Sequence, residues 1–69
     1  MNGIETAIRN ALDKSDRGDP DARARIYRSA RNAVDVGLRK QGITDPQVIA
    51  AQYDYLEKLI DTIEAGERN

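Results

Sequence analysis

Two Asp-Pro pairs, Asp19-Pro20 and Asp45-Pro46, punctuate a chain of 69 residues. Each pair is a helix start signal. An aspartate at the N-cap accepts a hydrogen bond from a first-turn amide, and a proline just after it gives up no useful donor. Gly18 and Gly42 stand shortly before the two pairs. Glycine is the residue that most readily takes the left-handed conformation that ends a helix. The chain is thereby cut into three pieces, with helices expected at about 3–16, 20–41 and 46–65.

Hydrophobic spacing inside each piece agrees with this cutting. In the first, Ile4, Ala7, Ile8, Ala11 and Leu12 form one narrow stripe, and Asn2 with Glu5 reads as a capping box. In the second, Ile26, Tyr27, Ala30, Ala33, Val34, Gly37 and Leu38 share a face. Its middle is small, and the spacing of Ala30, Ala33 and Gly37 implies a close helix contact there. Ile43, just past Gly42, is placed to fold back as the apolar contact of a Schellman turn. In the third, Ile49, Tyr53, Leu56, Leu59, Ile60 and Ile63 make the main face, which Val48 and Tyr55 widen, and Gly66 is the expected stop. Asp19, Pro20, Ala24 and Tyr27 are echoed by Asp45, Pro46, Ala50 and Tyr53. One such pair is compatible with duplication but is more readily read as chance, since Asp-Pro helix starts are common.

The fold class that follows is all-α. Residues 1–69 form a single three-helix domain, an antiparallel hairpin of two long helices with a shorter N-terminal helix packed across it. So small a domain has a modest core and commonly relies on reinforcement. With no cysteine, disulfides cannot supply it. Oligomerisation or attachment to a longer protein, of which this would be the N-terminal module, is the reinforcement expected.

Composition narrows function more than it names one. There is no histidine and no cysteine, so the commonest general base, the commonest zinc ligands and the thiolate nucleophile are all missing. Gly-rich phosphate loops and nucleophile elbows do not occur. The chain is read as non-enzymatic, with no cofactor, metal or small-molecule substrate. No apolar run approaches the length of a membrane span, and the first residues lack the pattern of a signal peptide. A soluble cytoplasmic protein is the expectation.

Charge is divided along the chain although the total is only −1. Arg23 to Lys40 holds six basic residues and one acid, while Ile43 to Asn69 holds six acids and two basic residues. Arg25, Arg28, Arg31 and Arg39 lie away from the apolar stripe of the second helix, and Asp54, Glu57, Asp61 and Glu64 share a flank of the third. The basic face reads either as a ribbon for nucleic acid or as a solvated face paired with those acids. The balanced net charge, the lack of Trp and Phe and the length of the helices argue against a nucleic-acid reader. The four acids have helical spacing, but a carboxylate metal site wants inward-facing acids with histidine.

The functional expectation is a helical protein–protein interaction or oligomerisation module whose partner is a second copy or another protein. The alternative is a small nucleic-acid-associated regulator using the arginine face. A homodimer is expected to use Ala30, Ala33, Val36, Gly37, Tyr55 and Leu59, with the basic side of the second helix against the acidic flank of the partner's third.

Overall fold

The computed structural model describes residues 3–68. Three helices follow one another: α1 (Gly3–Asp13), α2 (Pro20–Lys40) and α3 (Pro46–Arg68). The chain is an all-α, three-helix domain in which α2 touches both of its neighbours.

Both Asp-Pro signals act as written. Asp19 has extended backbone and its Oδ1 accepts from the Asp21 amide at 2.9 Å. Asp45 repeats the bond, accepting from the Gln47 amide at 2.9 Å. Each thus satisfies one of the amides that a helix start leaves without a partner. The end of α2 is a Schellman turn. Gly42 has φ of +68°, its amide donates to the Arg39 carbonyl at 3.1 Å, and the Ile43 amide donates to Leu38 at 3.0 Å. Ile43 is half-buried, as the apolar contact of that motif should be. The capping box at Asn2 lies outside the described residues.

Two helix ends differ from the sequence reading. α1 stops at Asp13 rather than near residue 16, and Gly18 is not the left-handed terminator. The turn is built on Asp16 instead. Its side chain accepts from the Gly18 amide at 3.2 Å and its carbonyl from the Asp19 amide at 3.0 Å. A short polar side chain that bonds nearby amides competes with the helix and ends it early. At the other end, α3 runs through Gly66 to Arg68. Glycine within a helix costs about 1 kcal/mol but does not break it. The turn around Gly66 is secured by Ile63, which is buried, and by Glu67, whose carboxylate meets Arg17 at 3.0 Å.

The core is one cluster of Ile8, Leu12, Tyr27, Ala30, Leu56, Leu59, Ile60 and Ile63, with Ile4, Ile26 and Val34 against it. Leu12 of α1 and Leu56 of α3 are fully enclosed. α1 therefore lies across the hairpin and closes its core. It has 11 residues against 21 and 23 in the helices it covers, so it reaches only part of their length.

The expected close contact at the small residues of α2 is not made within the chain. Ala30 is buried, but Ala33 is exposed, and a Cβ added at Gly37 would meet nothing within 4 Å. The reason is where α1 sits. Ala30 joins the core cluster with Ile8 and Leu12 of α1 and Ile26 packs against that cluster, while Ala33 and Gly37 beyond them are left open. Val48 and Tyr55 are likewise exposed, at 38% and 42%, so the widened arc of α3 is not covered. Among the described residues, no helix is long and apolar enough to cross a membrane.

Candidate functional site

The open side of α2 and the facing side of α1 make a groove of about 330 Å³. From α1 come Ile4, Ala7, Ile8 and Ala11, at steps of three, one and three that keep them on a single stripe. From α2 come Ala22, Ile26, Ser29, Ala30 and Ala33 in the same rhythm. Among the described residues, Arg25 is the one charged side chain in its walls. Beyond the start of α1 the depression continues for about 420 Å³ between Ile4, Ala33, Gly37, Leu38, Gln41, Ile43 and Gln52. Ile4 and Ala33 border both parts, so the two are one trough running toward the α2–α3 turn.

Val36 extends the same face. It stands three residues after Ala33 and seven after Ser29, which is the same side of a helix, and it is 40% exposed. The positions Ala22, Ile26, Ser29, Ala33, Val36 and Lys40 follow alternating steps of four and three. That is the spacing of a seam offered to another helix. Small side chains along it leave room for a partner's larger ones.

A charged seam lies on the other side of α2, facing α3. Arg23 donates from Nε to Glu64 Oε2 at 2.6 Å and from a terminal nitrogen to Oε1 at 3.3 Å. Its other terminal nitrogen donates to the Arg17 carbonyl at 2.8 Å, so one buried guanidinium joins the α1–α2 turn, α2 and α3. The Tyr27 hydroxyl donates to Glu64 Oε2 at 2.7 Å. Burial of the ring, with this bond and the carboxylate charge beside it, pushes the Tyr27 pKa up to about 12. Arg23 is held charged by the bond to Glu64, its pKa raised from the ordinary arginine value.

Two turns further along α2, Arg31 grips Glu57 with two parallel bonds of 2.7 and 2.8 Å. The Arg31 bond draws the Glu57 pKa below the usual carboxylate range. The basic and acidic faces thus meet within one chain, at Arg31–Glu57 and Arg23–Glu64. The two acids counted with an outward flank turn toward α2.

The remaining candidate residues are dispersed. Asp54 pairs with Lys58 on its own helix at 3.0 Å, and Asp61 is exposed. Arg39 makes a 3.3 Å contact with Asp35 and is otherwise in solvent. Arg25 and Arg28 are exposed, with no ion pair among the described residues. Leu59 is a core residue at 9% exposure and offers no outward surface, while Tyr55 does. Arg23 was not among the sequence candidates, although a signal existed: it lies four residues before Tyr27 and seven before Ala30, on the face that becomes buried. Among the described residues, no group of three acids is placed to hold a metal ion.

Comparison of the chain with protein-family models, with curated proteins and with solved structures gave no match. The functional reading therefore rests on the geometry alone.

Proposed function

We propose that the chain is a non-enzymatic helical protein–protein interaction or oligomerisation module, and that the α1–α2 trough is its working surface. The observation that carries this reading is a seam of small and apolar residues at heptad spacing on α2, half-buried at Ile26 and open at Ser29, Ala33 and Val36, beside α1. Side chains that recur every three or four residues beside an open groove are the form in which one helix is offered to another. The ionisable groups give the reading further support. Arg23, Glu64, Arg31 and Glu57 are taken up in holding helices together, and no histidine or cysteine exists to do chemistry.

Because the chain has no cysteine, single cysteines carrying a photoreactive benzophenone can be placed at will. A probe at Ser29, inside the groove, should give a discrete crosslinked product in cell extract or with a second copy. The same probe at Asp61, on exposed α3, should not. Equal labelling from both positions would remove the groove as the working surface.

A second reading, a small nucleic-acid-associated regulator, draws on Arg25, Arg28 and Arg39, which no cross-helix acid among the described residues neutralises. Arg31 is already committed to Glu57. Binding to mixed-sequence DNA or RNA that falls steeply with salt would favour it.

A further inference from the structure

The charges that helical position sets along the trough are basic, and the acids nearest to them are Asp16, in the turn beside Ser15, and Asp21, in the first turn of α2. Arg25 lies in its wall. Lys40 continues the α2 seam, four residues after Val36 and seven after Ala33. Lys14 continues the α1 stripe, three residues after Ala11 and seven after Ala7. All three are exposed, and none has an ion-pair partner among the described residues. The acids of α1 are used elsewhere, Glu5 by Arg9 at 3.0 Å and Asp13 by Arg17 at 2.7 Å. Asp35 of α2 is turned to Arg39, and Asp21, one turn before Arg25, is the remaining acid on that side of α2.

We propose that the trough receives an acidic amphipathic helix from another protein. Its apolar face lies on Ala7, Ala11, Ile26, Ala33 and Val36, and its carboxylates meet Lys14, Arg25 and Lys40. This rests on the reading of the trough as an interaction surface and names what fills it. A helix is the occupant because the walls are two helices whose side chains recur every three or four residues, and a third helix fits its ridge between them. The partner is acidic because the rim is basic and unneutralised. A second copy is the poorer match. A two-fold contact uses the same patch twice, so it sets Lys14, Arg25 and Lys40 of each copy in one interface, with Asp16 and Asp21 of each the nearest acids among the described residues. Like charges brought together across an interface select against that partner.

The test is fluorescence anisotropy on the full chain with labelled peptides of about 20 residues, enough to run the length of α2. One peptide carries leucine at heptad a and d positions and glutamate beside them. A second has lysine in place of each glutamate, and a third keeps glutamate but has serine for leucine. The proposal expects the first peptide to bind and the other two to bind at least about tenfold more weakly. Arg25→Glu with Lys40→Glu should weaken the first peptide by at least about tenfold and strengthen the second. Lys58→Glu with Lys14 intact makes a charge change on α3, away from the trough, and should alter binding by no more than about twofold.

Equal binding of the glutamate and lysine peptides would overturn the acidic partner and leave the interaction surface standing. So would a chain that binds no peptide but sediments as a dimer dissociated by Ala33→Glu. Equal binding of the serine peptide would reduce the rim to unspecific charge attraction and overturn the proposal. Steeply salt-dependent binding of a DNA duplex through Arg25 and Lys40, with no peptide bound, would replace it by the nucleic-acid reading. A monomer that binds none of these probes overturns both the acidic helix and the interaction surface beneath it.

Discussion

Tyr27 and Arg23 donate to the same oxygen of Glu64, at 2.7 and 2.6 Å, from positions one turn apart on α2. Glu64 itself is 28% exposed, so water reaches one side of the group while Arg23 is shut in at 9%. Tyr27→Phe removes one of these donors and should lower stability by about 1–2 kcal/mol. Glu64→Ala should cost more, about 2–3 kcal/mol, because it leaves a buried guanidinium without its counter-charge. Urea denaturation of the three proteins checks the order. Equal midpoints for the two variants would show that the carboxylate does no more than accept from Tyr27.

The same seam sets an alkaline limit. Tyr27 is raised from 10.0 to about 12, so above the ordinary tyrosine value the unfolded chain releases a proton that the folded chain keeps. Stability that depends on Tyr27 is intact below pH 10.0 and declines as pH rises toward about 12. The tyrosinate absorbance of the wild type minus that of Tyr27→Phe should rise late, with a midpoint above pH 10.0. A component titrating at the ordinary value would remove the proposed burial and hydrogen bond.

At the acid end the group to watch is Glu57. Arg31 lowers its pKa from the ordinary 4.5, so the unfolded state binds protons first as pH falls. The pair's contribution is whole above 4.5 and disappears as pH drops through the lower folded value. Both side chains are 46% exposed, which limits the contribution to under about 1 kcal/mol. Thermal midpoints of wild type and Glu57→Gln should differ at about pH 7 and draw together as pH falls below the ordinary 4.5 and through the lowered folded value. A gap that stays constant would assign the effect to something other than charge.

Three glycines should respond to alanine in two directions. At Gly37 and Gly66, both helical and both with empty space where a Cβ would go, alanine should stabilise by about 0.5–1 kcal/mol. Space is also free at Gly42, but its φ of +68° is one that alanine resists, so Gly42→Ala should destabilise by about 1 kcal/mol. Calorimetry of the three variants checks the signs. A loss at Gly37 would mean that a neighbour occupies the space after all, as the sequence reading expected.

Helix starts were legible because each is decided by two or three adjacent residues. Asp19-Pro20 and Asp45-Pro46 needed no knowledge of the rest of the chain, and Gly42 with Ile43 needed little more. Gly66 does not stop α3, since a glycine stops a helix only when the chain beyond it has somewhere else to go, and here Ile63 and Glu67 are anchored on either side. The character of the small-residue face was beyond reach for a similar reason. Alanine and glycine at Ala33 and Gly37 are equally consistent with a neighbour pressed close and with nothing there. The choice depends on where α1 ends. Helical periodicity placed Glu57 and Glu64 on an outward flank, but a glutamate at the edge of a face has the reach to turn inward when an arginine waits there.

The bond between Arg23 and Glu64 joins residues 41 positions apart, and that between Arg17 and Glu67 spans 50. The caps and the Schellman turn, by contrast, are made among near neighbours. Contacts that close long loops form late, while turns and helices assemble on the scale of microseconds. Interactions made after the transition state slow unfolding without hastening folding. The seam is therefore expected to brake opening, with Glu64→Ala speeding unfolding more than it slows folding. It sets how long each closed spell lasts, and with it how long α1, too short to remain helical alone, stays in place as one wall of the trough.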